Sequence, residues 1–128
     1  MNKNIFIIYV SDQKKSRKFY SELFETEPVS DEEGMTMFQI PDSELLLGLM
    51  PEKGISQILG ENIPHPESGN GIPRCEIYIF CEDPDLTFNK AVKLHAKPVS
   101  CGCDRSWGDY VSYVSDPDGH ILAFAKKS

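Results

Sequence analysis

The chain has 128 residues, of which 40% are hydrophobic and 26% charged, proportions typical of a single globular domain. Its 13 basic and 20 acidic side chains give a net charge of −7, which argues against nucleic acid or an anionic membrane surface as a partner. No apolar run is long enough for a signal peptide or a membrane span, so we expect a cytoplasmic protein whose four cysteines are reduced.

The first half of the chain predicts a strand, a helix and further strands. Ile5–Val10 is a short β-branched and aromatic run typical of a buried strand. Beyond a capping Ser11 or Asp12, apolar side chains recur with the helical period over 14–24. The remaining pattern leaves room for a short strand near 27–30 and predicts longer strands at Met35–Ile40 and Leu45–Met50.

A stretch rich in proline and glycine, residues 51–73, then predicts a linker with room for one helical turn at Ile55–Leu59. After the linker the pattern starts again, with a helix that Asp83 caps and Pro84 opens. The strands predicted around this helix are Glu76–Cys81, a short one near 97–100, Asp109–Val114 and Ile121–Ala125.

The two halves match as one unit repeated. Val10-Ser11-Asp12 aligns with Cys81-Glu82-Asp83, Asp42 with Asp116, and Leu45-Leu46-Leu47 with Ile121-Leu122-Ala123. An internal repeat indicates that the fold is built from two similar units, whatever motifs the units contain. It predicts an α+β fold of two strand–helix–strand–strand modules, each with room for one more short strand, at about 1–50 and 74–128 within a single domain of residues 1–128.

Three segments carry a family resemblance: Val10-x-Asp12-x-x-x-Ser16-x-x-Phe19-Tyr20, the strand Glu76–Cys81 leading to Asp83, and Trp107-Gly108 followed by Asp116-Pro117-Asp118-Gly119-His120. They resemble the vicinal oxygen chelate superfamily, which includes glyoxalase I, bleomycin-resistance proteins and extradiol dioxygenases. The resemblance implies a glyoxalase-like fold, in which two βαβββ modules form mixed sheets that curl around a ligand cavity. It also implies a homodimer, which is common in that superfamily.

The resemblance further implies where a metal ion would bind. In metal-using members four ligands come from the first and fourth strands of the two modules, and these positions here are Ile5, Leu47, Glu76 and Ala123. Three of the four are apolar, whereas a divalent ion usually needs three or four nitrogen, oxygen or sulfur ligands. We therefore expect neither a metal ion nor another cofactor.

Several polar and aromatic residues are candidates for contact with a ligand. Glu76 shares one strand face with Tyr78, and is either a solvated carboxylate or a buried one that orients a ligand or acts as a general base. Trp107, the only tryptophan, either packs in the core or stacks on a planar or cationic ligand. Cys101 and Cys103 are either partly buried small side chains or ligand-contacting thiols at the mouth of a cavity.

The resulting hypothesis is a metal-independent protein that binds or sequesters a small organic ligand, and an acidic cavity would suit a cationic one. The alternative is a glyoxalase-like lyase or isomerase that uses Glu76 as general base or a divalent metal site formed by other residues. A third interpretation is a purely structural interaction module. The predicted ligand-binding residues are Ile7, Tyr9, Leu47, Leu49, Tyr78, Cys101, Cys103, Trp107 and Tyr110, with Glu76 as the catalytic candidate.

Overall fold

The structure, a computed structural model, describes residues 2–128 and divides into two units, one ending at Asn70 and the other beginning at Gly71. The first contains β1 (Ile5–Val10), α1 (Gln13–Phe24), β2 (Ser30–Glu32), β3 (Met35–Gln39), β4 (Leu46–Pro51) and α2 (Glu52–Leu59). The second contains β5 (Glu76–Phe80), α3 (Pro84–Lys93), β6 (Lys97–Asp104), β7 (Asp109–Ser115) and β8 (Ile121–Lys127). The predicted α+β fold of two similar modules is confirmed.

Both units contain a four-stranded mixed sheet with the same connectivity. The strand order is β1-β4-β3-β2 in the first sheet and β5-β8-β7-β6 in the second. In each sheet the first and fourth strands of the module pair in parallel, and the other pairs are antiparallel. No helix in the described part of the chain is both long and apolar enough to cross a membrane.

The helix of the first module begins and packs as its sequence predicts. The carboxylate of Asp12 accepts a hydrogen bond from the backbone N–H of Lys15 at 3.1 Å, which caps α1. Phe19, Tyr20 and Leu23 recur at helical spacing and are buried. They anchor α1 to one face of the first sheet.

The helix of the second module is built in the same way. The carboxylate of Asp83 caps α3 by accepting from the N–H of Leu86 at 3.0 Å, and Pro84 occupies the first turn. The buried hydroxyl of Ser112 donates to the carbonyl of Pro84 at 3.1 Å. This bond fixes the start of α3 against β7.

The segment predicted to be a linker is more ordered than expected. Residues 52–59 form the two-turn helix α2, in which Ile55 is buried, and short 3-10 turns follow at Gly60–Asn62 and Pro66–Gly69. Ile55, Ile58 and Leu59 have the i, i+3, i+4 spacing of an apolar helix face. The flanking prolines and glycines obscured this short period in the sequence.

The predicted alignment of the two modules is wrong by one residue in their last strands. Ile5 pairs with Leu46, and Glu76 pairs with Ile121, so Leu46 and not Leu45 corresponds to Ile121. The cause is the turn before each last strand. It is closed by Ile40 N–H to Leu45 O in the first module and by Asp116 N–H to His120 O in the second, and the first turn is one residue longer.

Candidate functional site

Leu47 and Leu49, which we expected to line a cavity with Ile7 and Tyr9, lie on the other face of the first sheet. Leu47 pairs with Phe38, whose ring contacts Phe24 of α1, and both leucines are fully buried. A shift of one residue along a strand moves every side chain to the opposite face. The prediction for these two leucines is therefore wrong, and they belong to the core under α1.

The face opposite α1 carries Ile7 and Tyr9 beside Gly48 of β4. Ile7 is 37% exposed and Tyr9 is half-buried. A Cβ atom on Gly48 would lie 3.0 Å from Ile7 Cγ1 and 3.1 Å from Met35 Sδ, so these side chains converge over the glycine. The side chains that converge over Gly48 are apolar.

The residues do not fit the metal arrangement that the family resemblance implies. With the corrected alignment, Gly48 replaces Leu47 as the counterpart of Ala123, and neither residue has a donor atom in its side chain. Of the implied positions only Glu76 carries a ligating group. Within residues 2–128 no group of three or more His, Cys, Asp or Glu side chains is arranged to hold a metal ion.

The face of the second sheet opposite α3 has a floor of small side chains. Val111, Ala123 and Ala125 are fully buried, and Tyr78 and Tyr113 pack against them. Tyr78, Ala123 and Tyr113 are register partners across β5, β8 and β7 and therefore share this face. The two tyrosines thus stand on either side of the floor.

A chain of polar contacts crosses this face and ends at the only tryptophan. Trp107 Nε1–H donates to Tyr78 Oη at 2.9 Å, and Tyr78 Oη–H donates to Asp109 Oδ2 at 2.6 Å. Asp109 is 4% exposed, and its Oδ1 atom forms an ion pair with Lys127 Nζ at 3.2 Å. We call Trp107, Tyr78, Asp109 and Lys127 the polar chain.

The ionisation of the polar chain follows from these contacts. The hydrogen bond from Tyr78 lowers the pKa of Asp109, burial opposes this, and Lys127 lowers that pKa further. Burial, followed by the hydrogen bond to Asp109, raises the pKa of Tyr78. Near neutral pH the carboxylate of Asp109 is therefore charged and the phenol of Tyr78 is protonated. The phenol donates its proton to the carboxylate, and its oxygen accepts the hydrogen bond from the indole N–H.

Two aromatic rings at this end of the face are open to solvent. Trp107 is 56% exposed and Phe80 is 50% exposed. The ring centroids of Phe80 and Tyr78 are 5.5 Å apart at an interplanar angle of 71°, and Lys127 Nζ lies 5.5 Å from the Phe80 centroid. We call Tyr78, Phe80 and Trp107 the aromatic cluster.

Glu76 lies on the predicted face but is exposed and not buried. It is the first residue of β5, and β5 is an edge strand of its sheet. Water therefore reaches the carboxylate from the end and the side of the strand. Of the two alternatives for Glu76, the solvated carboxylate is the one that the structure shows, and the shared face with Tyr78 is confirmed.

Tyr110, expected near Trp107, lies on the α3 side of the sheet. Its hydroxyl is 2.8 Å from both carboxylate oxygens of Asp85, in the first turn of α3. The neighbouring Asp109 belongs to the polar chain, and successive residues of a strand point to opposite faces. The structure therefore removes Tyr110 from the group that contains Trp107.

Cys101 and Cys103 lie on β6, and both are exposed instead of partly buried. The register advances from Ser100–Tyr113 to Cys103–Val111, so β6 has one extra residue there, a β-bulge. Cys103, as the partner of Val111, faces away from α3. Whether either thiol contacts a ligand stays a prediction.

Sequence reasoning missed Asp109 and Lys127 as members of this site, and it placed Phe80 on the face of Glu76 and Tyr78 without counting it among the ligand-binding residues. Lys127 pairs directly with Asp109 across β8 and β7, and Phe80 pairs with Ala125. These contacts depend on strand pairing over long separations. The available signal was the two-residue spacing of Glu76, Tyr78 and Phe80, which places Phe80 on the same face.

The fold and the module repeat define a class of paired βαβββ proteins, and comparison with known proteins identifies the family. The chain belongs to the Glyoxalase/Bleomycin resistance protein/Dioxygenase superfamily, whose family model matches residues 4–124. An uncharacterized protein of Mycobacterium bovis is 26% identical over 121 residues, which cover 88% of this chain and 75% of that protein. An uncharacterized protein of Mycobacterium tuberculosis is also 26% identical over 121 residues and is covered to 67%.

Solved structures show the same fold. A glyoxalase-related enzyme from Fulvimarina pelagi superposes with a TM-score of 0.80 at 18% identity, covering 97% of this chain and 86% of that one. A superfamily member from Sphaerobacter thermophilus superposes with a TM-score of 0.75 at 20% identity, covering 99% and 98%. At such identities the likeness establishes the fold alone.

Proposed function

We propose that this protein binds a small organic ligand containing a planar ring, without a metal ion, at the aromatic cluster of Tyr78, Phe80 and Trp107. The observation that carries the proposal is the fixed yet exposed ring of Trp107. Its indole N–H is held by Tyr78 at 2.9 Å while 56% of the residue remains exposed.

A fixed exposed ring is suited to stacking. Binding costs conformational entropy when a side chain must be immobilised, and the hydrogen bond to Tyr78 already restricts the orientation of the Trp107 indole. Because the indole N–H is used by Tyr78, the ring faces and outer edge are what a ligand can contact. Aromatic pairs in offset or edge-to-face geometry contribute about 0.5–1.5 kcal/mol beyond their area burial.

The metal-independent part of the proposal is supported by the chemistry of the implied ligand positions. Glu76 is the one ligating side chain among them, since Ile5, Gly48 and Ala123 have none. The test is metal analysis of the purified protein together with thermal unfolding in the presence of divalent ions. Stoichiometric zinc, nickel or manganese, or strong stabilisation by one of them, would overturn this part, because binding to the native state raises the midpoint.

The ligand-binding part is tested with a thermal-shift screen of ring-containing organic compounds, followed by calorimetric titration of each hit. Trp107→Ala should weaken binding by about tenfold or more, which corresponds to roughly 1.4 kcal/mol. Tyr110→Phe is the matched control, since Tyr110 lies on the other face of the sheet and should leave affinity unchanged. Unchanged affinity in Trp107→Ala would refute the site.

The second candidate function is a glyoxalase-like lyase or isomerase in which Glu76 takes a proton from the substrate. It is favoured by the exposure of Glu76 on the same face as the aromatic cluster, where a bound molecule can reach it. For an enzyme, Glu76→Gln should abolish turnover of a compound that still binds.

A cytoplasmic homodimer completes the proposal, and sedimentation of the purified protein tests the dimer.

A further inference from the structure

Arg105 stands out among the cations whose contacts the structure defines. Arg17 forms ion pairs with Asp31 at 2.7 Å and Glu27 at 3.3 Å, and Lys127 pairs with Asp109. Arg105 has no carboxylate within 4.0 Å in the described part of the chain. Its positive charge is therefore not neutralised by a partner.

The guanidinium group of Arg105 is nevertheless held firmly. Its Nη2 atom donates to Ser100 Oγ at 3.0 Å, Cys101 O at 3.1 Å and Val111 O at 2.9 Å, and its Nε atom is 3.3 Å from Val111 O. Its Cζ atom lies 5.1 Å from the ring centroid of Tyr113. Neutral oxygens thus fix the group in place without cancelling its charge.

The hydrogen-bonding capacity of this guanidinium is only partly used. Arginine has five N–H donors in a planar fork. The bonds described above use Nε and Nη2, and Nη1 makes none among residues 2–128. A half-buried cation that is fixed, lacks a counter-ion and has free donors is preorganised for an oxyanion.

The position of Arg105 connects it with the aromatic cluster. Arg105 covers Tyr113, and Tyr113 is separated from Tyr78 by Ala123 in the same row of the sheet. Two strand spacings amount to about 10 Å. A ring of one or two cycles with an anionic substituent spans about that distance.

We propose that Arg105 is the anion anchor of this site, so that the ligand of the aromatic cluster is an organic anion, such as a carboxylate or another oxyanion attached to a planar ring. This inference rests on the proposed function. It replaces the expectation of a cationic ligand, which rested on an acidic cavity. On this face Asp109 is paired with Lys127, and Glu76 is exposed to solvent, where screening weakens its repulsion of an anion.

The test compares three probes that share one ring and differ in charge: naphthoate, naphthamide and naphthylmethylammonium, titrated by calorimetry at neutral pH. The wild-type protein should bind naphthoate about tenfold more tightly than naphthamide, with naphthylmethylammonium weakest. This preference should shrink as salt is added. Arg105→Gln should bring the affinities for naphthoate and naphthamide within about twofold of each other, a fivefold loss of preference that corresponds to about 1 kcal/mol.

The outcomes separate this inference from the proposed function. Arg17→Gln is the control, because it removes an arginine already paired with carboxylates and should keep the anion preference. Equal affinity for the three probes, or a preference that persists in Arg105→Gln, would overturn the anchor while leaving the aromatic site intact. Binding of none of the probes would overturn both.

A structural role of Arg105 at the β-bulge is distinguished by the same data. Such a role predicts lower stability of Arg105→Gln and an unchanged preference among the probes in whatever protein folds. If Arg105→Gln does not fold, Arg105→Lys is used instead, because it keeps the charge without the planar fork. Its preference for naphthoate over naphthamide should be smaller than that of the wild type but still present. The wild-type comparison of naphthoate with naphthamide needs no variant, and it shows by itself whether the site prefers an anionic ligand to a neutral one.

Discussion

Replacing Leu47 by alanine tests the strand register that separates the two faces of the first sheet. The residue is fully buried beneath α1, and the substitution removes three side-chain carbons. At about 0.8 kcal/mol for each buried carbon the transfer loss is about 2.4 kcal/mol, and the remaining cavity raises the total to roughly 3 kcal/mol. Leu46→Ala removes the same atoms from a half-buried position on the opposite face and should cost about 1 kcal/mol.

Urea unfolding of both variants measures the difference. With a slope of about 2 kcal/mol per molar urea, Leu47→Ala should lower the midpoint by roughly 1.5 M and Leu46→Ala by about 0.5 M, with unchanged slopes. The two variants share residue type and strand, so helix or strand propensity cancels between them. A cost for Leu46→Ala equal to or above that for Leu47→Ala would refute the register and with it the assignment of Leu47 to the core.

Two further substitutions probe the second module. Gly102→Ala places a Cβ atom 2.5 Å from Tyr110 Cε2 and should lower the free energy of unfolding by about 1–3 kcal/mol. Gly54→Ala is the control, because the space around its Cβ is open and the substitution should not lower that free energy. Urea unfolding compares the two variants. Because hydrogen bonding lowers the pKa of Asp109 in the folded state, its contribution to stability is present above the unfolded value of about 3.9 and is lost as pH falls through the folded value. Wild type should therefore lose stability more steeply than Asp109→Asn on acidification, and parallel unfolding curves for the two proteins across that range would contradict the account.

The architecture was accessible from the sequence because it is repeated. The helices α1 and α3 each begin after an aspartate cap, Asp12 or Asp83, and each is followed by strands with clear turn signals. Two weak patterns of strands and helices in the same order support the predicted fold more strongly than either pattern does alone. The helix α2 was underestimated, since eight residues between prolines and glycines carry little periodic signal.

The site was less accessible because side-chain direction depends on single-residue register. One extra residue in the turn between Ile40 and Leu45 is enough to exchange Leu47 for Gly48 on the face opposite α1. The turn residues themselves, Pro-Asp in both modules, give no indication of the added residue. The polar chain was inaccessible for a different reason, since Asp109 and Tyr78 lie 31 residues apart in sequence.

The two modules use the same frame but differ on the faces away from their helices. In both, a buried hydroxyl fixes the start of the helix: Thr36 Oγ1 accepts from Gln13 Nε2 at 2.8 Å, and Ser112 Oγ donates to Pro84 O. The opposite faces differ, because the first presents Ile7, Tyr9 and Gly48, whereas the second carries the polar chain and Arg105. The proposed function therefore assigns recognition of a ligand's polar group to the second sheet.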